Sequence, residues 1–383
     1  MKTTTSSAIL VPGETLQRAE ELLIELRQGG AQAGGRLQKH LRNIDLEAIS
    51  GLELLGLLFD TRQPQIFAES QVAGDGSDWT ITELSLLGDI SIALPVTIFD
   101  DGAHRHPQVH PSPFEGMLLF TSGALLDNGA GNTPADWPEV VGSNGEICRD
   151  GYLALYRRRL LPVFRAINTH ATQQRPALIT IPGIGCGQFA GPFRGKLAPL
   201  LQDVLRCLLL DHGQEWPNIH AVHFDPYSHG ENHRETIHGI RFQVRPSNAA
   251  GNEPIPQLCP PSAYAAPGDD VSSCGLYSLV AWDHVSWPGN DFYGNARATD
   301  DGVKAAATDA MARVTGVVGR YDAQLAQYKP PAPFRSWTEV ALDRVENHGF
   351  RLWDPALVRL DVAPDSLVLP TSQAATRRRH HDP

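Results

Sequence analysis

Short apolar runs alternate with long amphipathic stretches through the middle of this chain, and that alternation restricts its fold more than any other feature. "GMLLFTS" (116–122) and "ALITI" (177–181) are runs of the kind a buried strand needs. Each is followed by a glycine-rich loop and then by a helix-period segment, "GYLALYRRRLLPVFRAIN" after the first and "KLAPLLQDVLRCLLLD" after the second. Further strands are expected at "IHAVHF" (219–224), "HGIRFQV" (238–244) and "CGLYSLVAW" (274–282). Strands joined by helical crossovers build an α/β fold, a mostly parallel sheet covered on both faces. Ligands of such sheets bind where the loops leave the C-terminal ends of the strands.

The flanks read differently. "GETLQRAEELLIELRQGG" and "DLEAISGLELLGLLF" have helical spacing, so residues 1–75 are expected to form a helical N-terminal extension. "DWTITELSLLGDISIALPVTIF" reads as two strands around Gly88-Asp89 and opens an α/β domain over 76–330. A long helix is expected from near Gly302 through "GVKAAATDAMARVTGVVGRYDAQLAQY". After "PPAPF", residues 331–383 hold a short helix, "SWTEVALDRV", and a tail.

Charge and composition exclude several functions. With 383 residues, 42% of them hydrophobic, a sizeable core can be buried. A formal net charge of −11 argues against nucleic acid as the main partner, and Arg377-Arg378-Arg379 reads as a solvated tail. There is no apolar run of about 18 residues, so no membrane span or membrane partner is expected, and "MKTTTSSAILVPGETLQ" is a poor signal peptide. The cysteines at 148, 186, 207, 259 and 274 form no CxxC pair, so folding in a reducing compartment is expected: cytoplasmic, or exported by a specialised secretion system. His104, His106 and His110, and then His229, Glu231, His233 and His238, lack a recognised metal spacing. They read as exposed loops, and neither metal nor cofactor is expected. "RRRLLPVF" reads as the solvated and buried faces of one helix.

The loops carry the chemistry. In "IPGIGCGQFAG", Gly183, Gly185, Gly187 and Gly191 follow a strand and precede a helix. Glycine lets backbone N–H groups approach a phosphate, and the helix N-terminus favours its charge. "LLDNGAGN", with Asn128 and Gly129, sits in the matching place after the neighbouring strand, and two such loops can hold a diphosphate. A tight strand-to-helix turn is the competing explanation for either loop alone. No GK[ST] follows, and no acidic residue stands at a strand end about 20 residues on, so neither a P-loop nor a dinucleotide fingerprint is present.

Strand-P-x-I-G-C-G ahead of a helix resembles the macrodomains, three-layer α/β/α folds that bind ADP-ribose on a mixed, mostly parallel sheet. The resemblance implies ADP-ribose contacts at Asn128, Gly129, Gly183, Ile184, Gly185, Cys186, Gly187, Gln188 and Phe189. "IPGIGCG" is most similar to the branch that frees glutamate of ADP-ribose. That branch has a catalytic aspartate after GCG-Leu, where Gln188 and Phe189 stand here. The paired glutamates of the poly(ADP-ribose) glycohydrolases are missing too. Cys186 reads as a small packing residue rather than a nucleophile.

"WDHVSWPGNDFYGNARATDDGVKAA" supplies carboxylates instead. It resembles the signature of the MavL-like macrodomains, which remove mono-ADP-ribose from arginine, and by position it implies Asp283, Asp291 and Asp301 as catalytic. The resemblance runs from about Met117 to Tyr328 and leaves out the N-terminal region. It implies an ADP-ribosylarginine hydrolase acting on a modified protein. The chemistry agrees. Carboxylates grip a planar guanidinium in forked pairs, and negative charge steadies an oxocarbenium-like transition state. Asp301, beside a helix N-terminus, is expected to stay ionised and so to suit water activation. Asp283 and Asp291 would hold guanidinium and ribose. Phe292 and Tyr293 offer flat surface for adenine or ribose, and Asp300 is expected to cap the helix. Rival readings are a non-catalytic ADP-ribose reader, a hydrolase of another linkage such as a glutamate ester, or aspartates that only shape turns.

Overall fold

A computed structural model describes residues 7–66, 72–228 and 230–361. The chain opens with β1 (Ala8–Pro12), then α1 (Gly13–Gln28), α2 (Gly35–Leu41), α3 (Gly51–Phe59) and α4 (Ile81–Asp89). The strands β2 (Ser91–Asp100) and β3 (Val109–Ser122) form a long antiparallel pair. Next come α5 (Trp137–Val140), α6 (Arg149–His170), β4 (Ala177–Pro182), α7 (Leu197–His212), β5 (Ile219–Asp225), β6 (His233–Ile237), β7 (Ile240–Val244) and β8 (Gly275–Trp282). The last third holds α8 (Asn290–Tyr293), α9 (Asp300–Ala306), α10 (Ala310–Thr315), a hairpin of β9 (Arg320–Asp322) and β10 (Gln327–Lys329), α11 (Trp337–His348) and β11 (Val358–Asp361).

Among the described residues, nine strands form one mixed sheet in the order β11-β1-β2-β3-β8-β4-β5-β7-β6. The run β3-β8-β4-β5-β7 is parallel, as crossover connections require. Along β3, Leu118 and Phe120 enter one core while Met117 and Leu119 enter the other, the period of two that a strand buried on both faces must show. Leu155 and Val163 of α6 and Leu201 and Leu205 of α7 cover one face. Leu23 of α1, Leu58 of α3, Leu87 of α4 and Met311 of α10 cover the other. The three-layer α/β fold is the one expected, and the N-terminal region adds a strand, β1, to its helices.

Three local expectations change. The segment expected to be two strands around Gly88-Asp89 is helix α4 followed by one strand. Thr80 Oγ1 accepts the Glu83 N–H at 3.2 Å and the Glu83 carboxylate accepts the Thr80 N–H at 2.8 Å, a capping box that starts a helix regardless of the strand-like composition after it. The long helix expected from Gly302 is α9 and α10 and then a hairpin. Asp309 accepts the Thr97 N–H at 2.8 Å and so draws the chain onto β2, and Gly316 ends α10 in the left-handed conformation. In "RRRLLPVF", Arg158 and Arg159 are both buried, for a reason found in the site. Arg377-Arg378-Arg379 and His229 lie outside the described residues.

Candidate functional site

The strands β3, β8, β4 and β5 run in parallel, so the loops after Ser122, Trp282, Pro182 and Asp225 gather at one sheet edge. The two glycine loops touch there, backbone to backbone. A Cβ on Gly123 would lie 2.2 Å from the Gly185 nitrogen, and one on Gly185, whose φ is +73°, would lie 2.8 Å from the Ala124 nitrogen. Only glycine fits either place. The Tyr156 hydroxyl ties the loops together, accepting the Ala124 N–H at 3.0 Å and donating to the Ile184 carbonyl at 2.8 Å. The Leu126 N–H donates to the Phe189 carbonyl at 2.8 Å. Gly187 differs from its neighbours: it is exposed, and a Cβ there would meet nothing within 4 Å. Asn128 is buried and folds its own loop, accepting the Ala130 N–H and donating to the Val72 and Asn132 carbonyls. Gly129 and Gln188 are exposed. Burial pushes the Cys186 thiol up to about 12, which makes it a poor nucleophile.

Beneath the first loop lies a buried ion network absent from the sequence reading. Asp136 accepts the Leu125 N–H at 2.7 Å and pairs with Arg159 at 2.7 Å, while Arg159 also donates to the Gly123 carbonyl at 2.9 Å. Arg158 and Arg159 share Asp89 with Arg18. Burial alone would raise the pKa of Asp136, but the charge of Arg159 and the hydrogen bond and charge of His284 outweigh it and hold the carboxyl well below the usual range. The network fixes the loop from below, and this explains why two adjacent arginines of α6 turn inward.

The aspartates come together from the turn after β8, from α8 and from α9. The Asp283 carboxylate accepts the N–H groups of Val285 and Ser286, both at 2.7 Å, and the Ser286 hydroxyl at 2.5 Å. Both Asp301 oxygens take backbone donors, Gly289 N–H at 2.6 Å and Asn290 N–H at 3.0 Å. Asp291 uses one oxygen, accepting the Thr299 N–H at 3.1 Å. Among the described residues that is its one hydrogen-bond donor. Gly302, next to Asp301, packs so closely on Asp291 that a Cβ there would lie 2.7 Å from the Asp291 Cβ. Burial pushes Asp301 well above the ordinary carboxylate value, and the charges of Asp283 and Asp291 push the same way, against the two N–H donors. The expectation that a helix N-terminus keeps Asp301 ionised therefore reverses, because burial and like charge exceed the dipole of a helix this short. Thr299, not Asp300, caps α9. Asp300 instead accepts the Ala281 N–H at 2.8 Å and pairs with Lys304.

Arg62, from the N-terminal region, closes the site from behind. Its guanidinium is stacked 4.0 Å from the Trp282 ring centroid and donates to the carbonyls of Asp283 and Ser286 at 3.2 Å. Burial lowers it to about 9, and the Asp283 charge opposes that fall. Gln63 exchanges backbone hydrogen bonds with Val285 and Trp287.

The family model of the macrodomain effector MavL matches residues 7–334. The chain belongs to the MavL macrodomain effector family. No curated protein matches it. Family membership implies ADP-ribose binding, and the match starts at β1, well ahead of the Met117 at which the sequence resemblance began. The match thus takes in the N-terminal region from residue 7. Phe292 and Tyr293 are 1% and 0% exposed, so they pack the core beneath the aspartates and give a ligand no flat surface. Tyr227 is an exposed ring at this edge, 66% accessible, with φ +65°. Asp225 holds its turn by accepting the N–H groups of Tyr227 and Ser247. "FDPYSH" was the available signal, a strand end followed by Asp-Pro. Among the described residues no group of three or more His, Cys, Asp or Glu side chains is arranged to hold a metal ion, and no helix is long and apolar enough to cross a membrane.

Proposed function

We propose that this macrodomain is a hydrolase that releases ADP-ribose from mono-ADP-ribosylated arginine side chains of proteins. One observation carries the reading: three buried aspartates crowd together, and burial, with the charges of Asp283 and Asp291, raises Asp301. Arg62 and Lys304 act on Asp283 and Asp301, whereas Asp291 has no ion-pair partner among the described residues, and the planar guanidinium of the substrate supplies one in the geometry carboxylates grip best. A glutamate ester or a phosphorylated ADP-ribose brings no cation and gains nothing from this cluster.

The glycine loops hold the diphosphate on backbone N–H groups, with Gly187 facing the open side, and Tyr227 offers its exposed ring to the adenine. Asp291 has the least committed carboxylate and takes the proton of the attacking water. This assigns water activation to Asp291 rather than Asp301. Water oxygen bonds to the ribose anomeric carbon as the carbon–nitrogen bond breaks. The bonding pair leaves on the guanidine nitrogen, which then takes up a proton, and the charge building on the ribose is stabilised by Asp283. The test is to incubate the protein with matched peptides modified on arginine, glutamate or serine and to follow released ADP-ribose. Release from arginine alone is expected; release from another linkage alone overturns the assignment.

A second reading, an ADP-ribose reader without turnover, draws on Asp283. All three of its hydrogen bonds close its own turn, as a purely structural aspartate would. Binding of ADP-ribose with no release from any peptide would favour it.

A further inference from the structure

The C-terminal half of β8 has lost a neighbour. On one side β3 stays paired with it to Ser122 and Trp282, but on the other side β4 pairs with it only as far as Thr180 and Ser278. Beyond Thr180, β4 runs on to Pro182 paired with β5 alone and then enters the glycine loop, so the next β8 groups on that side have no strand to bond. Two side chains of α9 take them. Lys304 Nζ donates to the Leu279 carbonyl, and Asp300 Oδ2 accepts the Ala281 N–H at 2.8 Å. The two side chains pair with each other at 3.1 Å, and that of Lys304 is fully buried.

We propose that Asp300 and Lys304 are positioning residues that stand in for the missing strand. They clamp α9 to β8 and thereby fix the separation of the Asp301 and Asp283 carboxylates. The inference rests on the hydrolase reading above. The sequence geometry is direct: Asp301 follows Asp300, and Asp283 lies two residues past Ala281. A buried ion pair is weak support for stability, since well-packed apolar side chains of the same volume serve as well or better. What the pair gives is direction. One member donates and the other accepts, so the helix can lie against the strand in one register only.

The experiment uses the full chain with Lys304→Met, Asp300→Asn, Asp300→Ala and the double variant Asp300→Asn/Lys304→Met. Single-turnover release from ADP-ribosylated arginine is expected to slow by about tenfold or more in Lys304→Met, as small displacements of reacting groups do. KM and the ADP-ribose dissociation constant should stay within about threefold, because the glycine loops are untouched. The double variant should be no slower than the slower single, since the two side chains act as one unit. Turnover within twofold of wild type, or turnover and affinity falling together, overturns the proposal. Amide exchange supplies a readout free of the reaction. Loss of the Ala281 acceptor in Asp300→Ala should speed exchange at Ala281 by more than about tenfold, and unchanged exchange overturns the clamp whatever the activity. Asp300→Asn keeps volume and one acceptor oxygen, so it decides the matter if Lys304→Met does not fold. A wild-type protein that releases no ADP-ribose, yet shows the Ala281 effect, would sink the hydrolase reading and leave the clamp standing.

Discussion

Chemically identical side chains in this site differ in what they have left to give. Asp283 spends both oxygens on donors of its own turn and Asp301 spends both on the N–H groups of Gly289 and Asn290, whereas Asp291 spends one. Asp291→Asn should therefore reduce single-turnover release by roughly 10²–10⁴-fold, the range for loss of a general base, with ADP-ribose affinity by calorimetry preserved. Near wild-type release would remove Asp291 from the mechanism. Asp301 calls for a different measurement. Its folded pKa is raised, so between the ordinary 3.8 and that higher value the folded protein keeps a proton the unfolded chain has lost. Its stabilising share is full below 3.8 and is lost as pH rises through the folded value. Asparagine does not titrate. The melting temperature of Asp301→Asn relative to wild type should thus improve as pH rises from 4 towards 8, starting from a deficit because the amide can accept only one of the two N–H donors. A difference independent of pH would mean Asp301 is ionised throughout. The sequence placed all four aspartates in one segment. It could not rank them, because burial and the count of spare lone pairs depend on which backbone N–H groups the fold brings up.

At the scale of elements, two loops from different strands act as one surface, and one hydroxyl joins them. Tyr156→Phe leaves the Ala124 N–H and the Ile184 carbonyl without their partner at a buried position, which should cost about 1–3 kcal/mol and weaken ADP-ribose binding as the loops part. Chemical denaturation and calorimetry check both, and unchanged affinity would mean the loops hold their spacing without the bridge. Gly187 probes the opposite side. Since a Cβ there meets no protein atom, Gly187→Val should fold and lose ADP-ribose affinity by more than about tenfold through bulk at the phosphate approach. A variant that still binds normally would make this loop only a turn. The strand–glycine–helix units were legible because period and punctuation are local. Tyr156 was not, since it stands 28 residues before the carbonyl it bonds and reads as one more apolar position of an amphipathic helix. Arg158 and Arg159 were hidden for the same reason: a run of three arginines looks solvated until Asp89 and Asp136 arrive from elsewhere.

Across the whole molecule, the parallel middle of the sheet was readable, and the flanks less so. β1 is only five residues long and merges into a helix, so periodicity had too few positions to reveal it. Yet it lies between β2 and β11, and Arg62, farther along the same region, supports the Asp283 turn. Removing residues 1–75 is accordingly expected to leave a chain that does not fold, by circular dichroism and thermal melting. A cooperative melt near that of the full chain would make the region dispensable. The strand partners of β1 are also unequal in time. Ile9 can meet Ile92 soon after both leave the ribosome, but Val358, its partner on the other side, follows only much later along the chain. At roughly 5–20 residues per second the interval is on the order of tens of seconds. Throughout it the nascent protein carries an apolar edge, Ile9-Leu10-Val11, with one row of backbone groups unpaired, a template for any passing strand. Its most exposed moment in the cell thus falls during synthesis, and a chaperone that shields extended apolar edges should matter more to its yield than to its folded stability.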